Sequence, residues 1–570
     1  MRSQRRHYYL RAVRASRTRS RARHRSRVLA LVLMVGVLGA ALLTAWPAAM
    51  AASDGVYRDD FNSISYSNSD GSLSWSGSPW VEVGESNGPG SDPVSVGSWS
   101  TRCASGNCIR INDITQGTPY GFQRSADLSG AAAAVLTFSY ALELDAGDDD
   151  SRGPSTFVVM AGPTATGPWT SLATYTVTAS ISSPIPQAFD LTPYIGTSTT
   201  IRVMSDGIGL SHGIYLDDVQ IEAVPAADLE PSLWFVISYD TTTGPPALPA
   251  LKDGAIGSFT DPGLQYEPGV TAGTLGTLAD WEVLFGVSDL DGLHLVTTNL
   301  TVGGMSLQVG DLLFILSNDL TLTGSNGGSI GYNKNDVGRF RPDVPGDYRA
   351  GTFATFLDNP LNNDLNGLTL VEQSTRVGEV TLTSGTLLLT RMGGTEHQDV
   401  YRYVVTTAGE GTTSGTTSKL LEGSEMGFID QIWDLDLIED GMGWPFPRGA
   451  IALTFEKDVL IGIDGTAAPK RTIVSVIVAR TSLSAAARVN AIVAWDGNDL
   501  GFNEDKERLE AFTFADYNLD PVFDQDITDR SEAEGTAVSF SATGTDPLGE
   551  GLTYSATGLP PAYLPKHDVN

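Results

Sequence analysis

The sequence predicts an all-β protein, and three observations carry that expectation. After residue 51 the apolar residues fall in short β-branched or aromatic runs, punctuated by Gly, Pro, Ser and Asp. Long Leu/Glu/Lys/Arg helical stretches are missing, and charged residues are only 18% of the 570, against about 25% in an average domain. One strand-and-turn pattern returns at a fixed offset of 75 residues. The length allows roughly three or four domains. The 41% hydrophobic content is ample for packed cores, which excludes wholesale disorder.

Residues 1–51 read as an address. Arg2 to Arg27 is a basic stretch with eleven arginines and no acid, and Val28 to Trp46 is an almost unbroken apolar run. Ala49-Met50-Ala51 then supplies a small-x-small cleavage pattern, so a secretory leader cut near Ala51 is expected. An uncleaved anchor is the alternative, because such a run is long enough to span a bilayer. No later run reaches that length, so no transmembrane helix is expected after the leader, and the mature chain is expected outside the cell or at its surface. Beyond residue 51 the chain holds 25 basic and 67 acidic residues, a net charge of −42. Phosphate backbones repel such a body, which excludes nucleic acid as a partner. It suits calcium, a hard cation that takes carboxylate oxygens. Cys103 and Cys108, the two cysteines, meet an oxidising compartment and are expected to pair. A C-x4-C metal or redox role is the rival, weak without histidines nearby.

Residues 52–225 form the first body. VLTFSYALEL, STFVVMAG, WTSLATYTV and TTIRVMSD are strands at sandwich spacing, framed by GVYRDDF and GIYLDDVQIEA. The order SADLSG, VLTFSYALELDAGD, TFVVMAG, GPWTSLATY, AFDLTPYIG, TTIRVMSDG, GIYLDDVQIE resembles the jelly-roll accessory domains of secreted bacterial proteins, in the MAM and galactose-binding-like group. The resemblance implies that Asp217 and Asp218, before the last strand, sit by a structural calcium that Asp59 and Asp60 reach from the first strand. Solvated strand ends are the plainer reading of the same acids.

Residues 226–515 form the second body, which repeats. LWFVISYD, LLFILSND, LLLTRMGG and AIALTFEK are apolar strands ending in polar turns. Gly310-Asp311 and Gly385-Thr386 lie 75 residues apart, as do DLDGLHL at Asp289 and DLNGLTL at Asp364. DLDLIED at Asp434 is a looser third echo. Two markers with one offset argue for duplicated four-stranded units in a propeller-like arrangement, with a stacked β-solenoid as the runner-up. Late in this body, Asp496, Asn498, Gly501 and Glu507 fit an EF-hand loop except at Leu500. That loop would have LEAF starting the following helix, whereas an acidic turn between strands would not. SLSAAARVNAIVAW before it reads as helix or strand.

Residues 520–570 form the third body. Pro521-Val522-Phe523, Glu534-Gly535, VSFSA, Thr545-Asp546-Pro547 and LTYSATGLPP resemble dystroglycan-type cadherin-like and immunoglobulin-like modules of bacterial surface proteins. The resemblance implies calcium at Glu534 and Asp546, although Leu548 stands where the family has a second acid. It also implies a module longer than the residues present.

No histidine after the leader has a second at metal-ligand spacing. The two G-x-S-x-G matches, at Gly209–Gly213 and Gly327–Gly331, lack the strand-turn-helix context of a nucleophile elbow. The acid pairs Asp434/Asp436 and Glu439/Asp440 suit a glycosidase in type, yet such pairs arise by chance among 67 acids. The expectation is therefore a secreted, non-catalytic binding or adhesion protein with calcium-stabilised β modules, directed at extracellular glycans or surface proteins. The alternative is a secreted glycan-acting hydrolase, which an acid-lined pocket with aromatic walls on the propeller axis would favour.

Overall fold

The computed structural model describes residues 55–75, 79–99, 101–113, 116–144, 154–208, 212–225, 232–237, 255–260, 274–461, 466–470, 472–481, 488–496, 509–515, 522–523 and 544–545. The chain divides into two compact units, 51–519 and the remainder. Of the remainder, the described residues form one antiparallel pair, Val522–Phe523 with Gly544–Thr545. Residues 1–51, expected from sequence to be a leader, lie outside the described residues. Among those residues no helix is long and apolar enough to cross a membrane.

The fold is all-β. Residues 55–225 make two antiparallel sheets packed as a sandwich. One sheet runs Val94–Gly97, Cys108–Asp113, His212–Val224, Ala133–Glu143, Ile181–Asp190, with Gly55–Asp59 also paired to His212–Val224. The other runs Val81–Val83, Gly121–Ala126, Thr199–Ser205, Thr156–Gly162, Thr170–Thr176. Between them lie Phe61, Trp80, Phe122, Phe157, Ile201 and Ile214. The long strand His212–Val224 changes partner midway. It pairs with Cys108–Asp113 up to Leu216 and with Gly55–Asp59 from Val219. A bulge at Asp217-Asp218 makes the change, with Asp218 at φ 50°. Cys103 and Cys108 are disulfide-bonded, with Cα atoms 5.4 Å apart.

Among the described residues the repeat body has four four-stranded antiparallel sheets. In order from the inner strand, unit 2 is Leu290–Leu295, Leu312–Leu316, Val337–Val344, Asp347–Leu357. Unit 3 is Leu365–Leu370, Thr386–Arg391, Val400–Thr407, Ser414–Leu421, and unit 4 is Ile432–Leu437, Ile451–Phe455, Thr472–Arg480, Arg488–Asp496. Unit 1 takes its inner strand from the far end of the body: Leu509–Ala515 pairs with Ser232–Ile237, followed by Ala255–Thr260 and Thr274–Asp280. The four inner strands pack against one another around one axis. Leu233, Leu312 and Leu387 all sit on the second strand of their units.

Two readings of local sequence need correction. LEAF does not start a helix; it is the inner strand Leu509–Ala515, where Leu509, Ala511 and Phe512 are fully buried. Pairing with Ser232–Ile237 and burial against the inner strands Leu290–Leu295 and Ile432–Leu437 override the helical leaning of Leu, Glu and Ala. The third echo of DLDGLHL is Gln431 to Leu437, three residues before DLDLIED. The backbone fixes this alignment: Val296, Val371 and Ile438 each accept from Gly310, Gly385 and Gly449 and donate to the next strand's entry. Those glycines have φ of 88°, 84° and 80°, a conformation that explains why glycine recurs there. Gly327 in the second G-x-S-x-G stretch is likewise a hairpin turn, between Leu320–Thr323 and Ser329–Tyr332.

The sandwich is docked on the repeat body. Val135 and Ala188, on the outer face of the first sheet, pack with Ile438, Phe446, Ile477 and Trp495. Arg480 reaches from unit 4 to the carbonyls of Cys103 and Ala104, so the disulfide loop is part of the contact.

Candidate ligand-binding site

The alignment of the inner strands places His294, Thr369, Asp436 and Thr513 at one level of the axis. All four are buried. His294 Nδ1 lies 3.2 Å from Thr369 Oγ1 and 3.7 Å from Asp436 Oδ1. Thr369 Oγ1 donates to Asp436 Oδ1 at 2.7 Å, and Thr513 Oγ1 to Asp436 Oδ2 at 3.2 Å. The Leu295 N–H donates to Thr513 Oγ1 at 3.2 Å, which closes the ring beside His294. On its other side, His294 Nε2 is 3.2 Å from Glu372 Oε1. Burial alone would depress the imidazole, but the hydrogen bonds and charges of Asp436 and Glu372 overcome it and lift it to about 10. The axis is therefore plugged by an imidazolium held between two carboxylates.

Asp434 occupies a second level, where the other inner strands carry Gly292, Gly367 and Ala511. Its Oδ1 accepts from the Leu368 and Leu435 N–H groups at 3.1 and 2.8 Å, and its Oδ2 from the Phe512 N–H at 2.7 Å. It thus ties three inner strands together. Gly367 makes room for it: a Cβ there would lie 2.6 Å from both the Asp434 Cα and its Oδ1. Burial pushes this carboxyl well above the usual range. The pair Asp434/Asp436 is a set of cross-links, not two free acids.

Just past the His294 level the axis opens into a cleft. Glu372, Gln373, Glu439 and Asp440 line it with Met442 and Phe514. Thr297, Glu372 and Glu439 are equivalent positions, and each acid caps its neighbour. Glu372 accepts from the Thr297 N–H at 2.7 Å and from Thr297 Oγ1 at 2.9 Å. Glu439 accepts from the Glu372 and Gln373 N–H groups at 2.7 and 3.1 Å, and from Thr375 Oγ1 at 3.2 Å. Burial pushes Glu439 up to about 8 against these hydrogen bonds, and the Glu372 charge adds to the rise. Asp440 is more open and accepts from Gln373 Nε2 at 2.9 Å.

The sandwich aspartates named from sequence come together at the bulge, beside the repeat body. Asp59 is fully buried; its Oδ2 pairs with Arg124 Nη1 at 2.6 Å and accepts from Trp80 Nε1 at 2.9 Å. Asp60 pairs with Arg58 and, at 2.9 Å, with Arg376 Nη1 of unit 3. Asp218 pairs with the same two arginines at 3.2 and 3.1 Å. Asp217 accepts from the Ser105 and Asp218 N–H groups at 2.9 and 2.8 Å. Guanidinium groups thus supply the positive charge around Asp59, Asp60 and Asp218. Among the described residues no three His, Cys, Asp or Glu side chains form a metal-holding group. Asp496 ends the last strand of unit 4. Asn498, Glu507, Glu534 and Asp546 lie outside the described residues.

Sequence reasoning passed over His294, Glu372 and Arg376. The signal for the first was present: His294 stands in DLDGLHL where Thr369 stands in DLNGLTL.

No family model matches the sequence, the two families resembled above included, and no curated protein matches it. Solved structures similar to parts of the chain include a carbohydrate-binding module in complex with β-1,4-galactotriose. It has 12% identity and a TM-score of 0.20, covering 25% of this chain and 88% of that one. The K1 cleaved adhesin domain of Lys-gingipain from Porphyromonas gingivalis W83 has 18% identity and a TM-score of 0.20, covering 30% and 98%. A mannan-recognising carbohydrate-binding module has 11% identity and a TM-score of 0.18, covering 25% and 88%. Scores of this size carry no argument about function.

Proposed function

We propose that this chain is a secreted or surface-held, non-catalytic glycan-binding protein whose repeat body is a four-bladed propeller, with the axial cleft as its ligand site. The observation that carries the reading is the cleft's lining. Carboxylate and amide oxygens stand beside Phe514 and Met442, which is what a sugar needs for its hydroxyls and for its apolar ring face. The buried acids support binding rather than turnover, because Glu372, Asp436 and Glu439 are already committed to backbone and side-chain donors. Calcium stabilisation belongs to the same proposal. It rests on the net charge of −42 beyond residue 51 and on Asp496, Asn498, Glu507, Glu534 and Asp546. The test is calorimetry of residues 52–570 against a panel of neutral oligosaccharides, with the double variant Gln373→Ala/Asp440→Ala. Loss of the hydrogen bonds these two side chains would make should weaken binding about tenfold or more. Absence of binding by the unaltered chain to every oligosaccharide would refute the reading.

Two observations favour the hydrolase reading: the axial cleft is lined by Glu372, Glu439 and Asp440 beside Phe514, and Glu439 is raised to about 8, the state a general acid needs at neutral pH. Incubation with the same panel decides. Reducing ends released by the unaltered chain and not by Glu439→Gln would replace binding with catalysis.

A further inference from the structure

Glu222 is fully buried in the strand His212–Val224, where the sandwich meets the repeat body. Its cross-strand neighbours, Val56 and Val135, bring no charge. Its Oε2 accepts from the Arg448 N–H at 2.7 Å. Its Oε1 has no hydrogen-bond partner and faces Gly441, where a Cβ would lie only 2.6 Å away. Arg448 Nε is 4.0 Å from that oxygen, and Arg448 Nη2 is 3.8 Å from Asp440 Oδ1. Asp440 and Gly441 are both in the cleft wall.

We infer that Glu222 is a positioning residue for the axial cleft, and that its state of protonation sets where the wall segment 439–448 stands. The charged groups facing it are Arg448 and Asp440, both on that segment. Burial pushes the carboxyl up to about 7; the Arg448 N–H opposes the rise and the Asp440 charge adds to it. A neutral Glu222 leaves Arg448 beside Asp440. An ionised Glu222 draws the Arg448 guanidinium away from Asp440 and repels the Asp440 carboxylate. The wall then loosens as pH rises through neutrality. A sandwich residue would thereby tune a site on a different body of the chain.

The consequence for ligand rests on the cleft being the binding site, but the test reads the wall itself. Amide exchange of residues 438–450 is followed from pH 5.5 to 8.5, corrected for intrinsic rates, in the unaltered chain, Glu222→Gln and Asp440→Asn. Protection in the unaltered chain should fall several-fold with a midpoint near neutrality. Glu222→Gln should lose the step near neutrality and keep only what Glu439 contributes near pH 8, and Asp440→Asn should move the midpoint to lower pH. A flat profile in the unaltered chain, or an unchanged step in Glu222→Gln, overturns the inference. If Glu222→Gln does not fold, the Asp440→Asn midpoint decides: unchanged or higher, it overturns the inference too. Glycan binding that fails while the exchange step stands would sink the proposed function and leave this inference intact.

Discussion

Replacing His294 by Gln tests the charge at the centre of the repeat body. Gln keeps much of the shape and some hydrogen bonding but removes the positive charge between Asp436 and Glu372, both of which are buried. Breaking a buried ionic set by removing one partner costs about 3–5 kcal/mol. The rise of the imidazole from 6.5 to about 10 gives an independent figure on the order of 5 kcal/mol, at 1.36 kcal/mol per pH unit. The sign follows from proton counting. The folded state holds the His294 proton more tightly, so this stability is complete below pH 6.5 and is lost as pH rises to about 10. Glu439 and Glu222 are carboxyls raised to about 8 and about 7, so they also cost stability as pH rises, starting near pH 4.5 and ending at those values. The interval from pH 8.5 to 10 therefore reports His294 apart from those two glutamates. Urea unfolding at pH 6, 8.5 and 10 is the assay. The unaltered chain should lose stability across the last interval, and His294→Gln should start several kcal/mol lower and lose less there, since the buried tyrosines, raised by desolvation, weaken both proteins alike as pH nears 10. Equal stability at pH 6, or an equal fall from pH 8.5 to 10 in both proteins, would refute the buried imidazolium.

Gly367→Ala should destabilise by about 1–3 kcal/mol, because its methyl overlaps the Asp434 backbone. Gly331→Ala, whose nearest atom is 3.9 Å away, should stay within about 0.5 kcal/mol, and urea midpoints compare them. If calcium binds the folded chain as proposed, a hundred-fold excess over Kd adds about 2.7 kcal/mol. Coincident melting curves in calcium, magnesium and chelator would end that proposal.

The all-β architecture was legible because strand residues and turn residues alternate at short range, and because exact 75-residue spacing survives between units 2 and 3. Unit 4 was harder to align. Its inner strand lies 67 residues on, and it replaces Asp-Gly and Asn-Gly by Trp433-Asp434, so eye and motif slide to the nearest DLDL. The closing strand was illegible locally: Leu509 to Phe512 have helical leanings, and only pairing with Ser232–Ile237 makes them a strand. The axial site was half visible. Glu439 and Asp440 were noticed as acids, but their value depends on Glu372, 67 residues before Glu439, whose backbone N–H caps it. For the sandwich aspartates the acids were visible and their partners were not. Arg376 lies 316 residues from Asp60, and no local pattern announces a charge that arrives from another body.

The strand Leu509–Ala515 also decides when this protein can finish folding. Ser232 pairs with Ala515, so after Ser232 has left the ribosome the ring stays open until nearly three hundred further residues have followed. Such a contact pays a large loop-closure entropy and forms late. Until then Ser232–Ile237 is an apolar edge with unpaired amides, open to strands of other chains. A nascent chain stalled before residue 509 should therefore aggregate instead of yielding a smaller working protein.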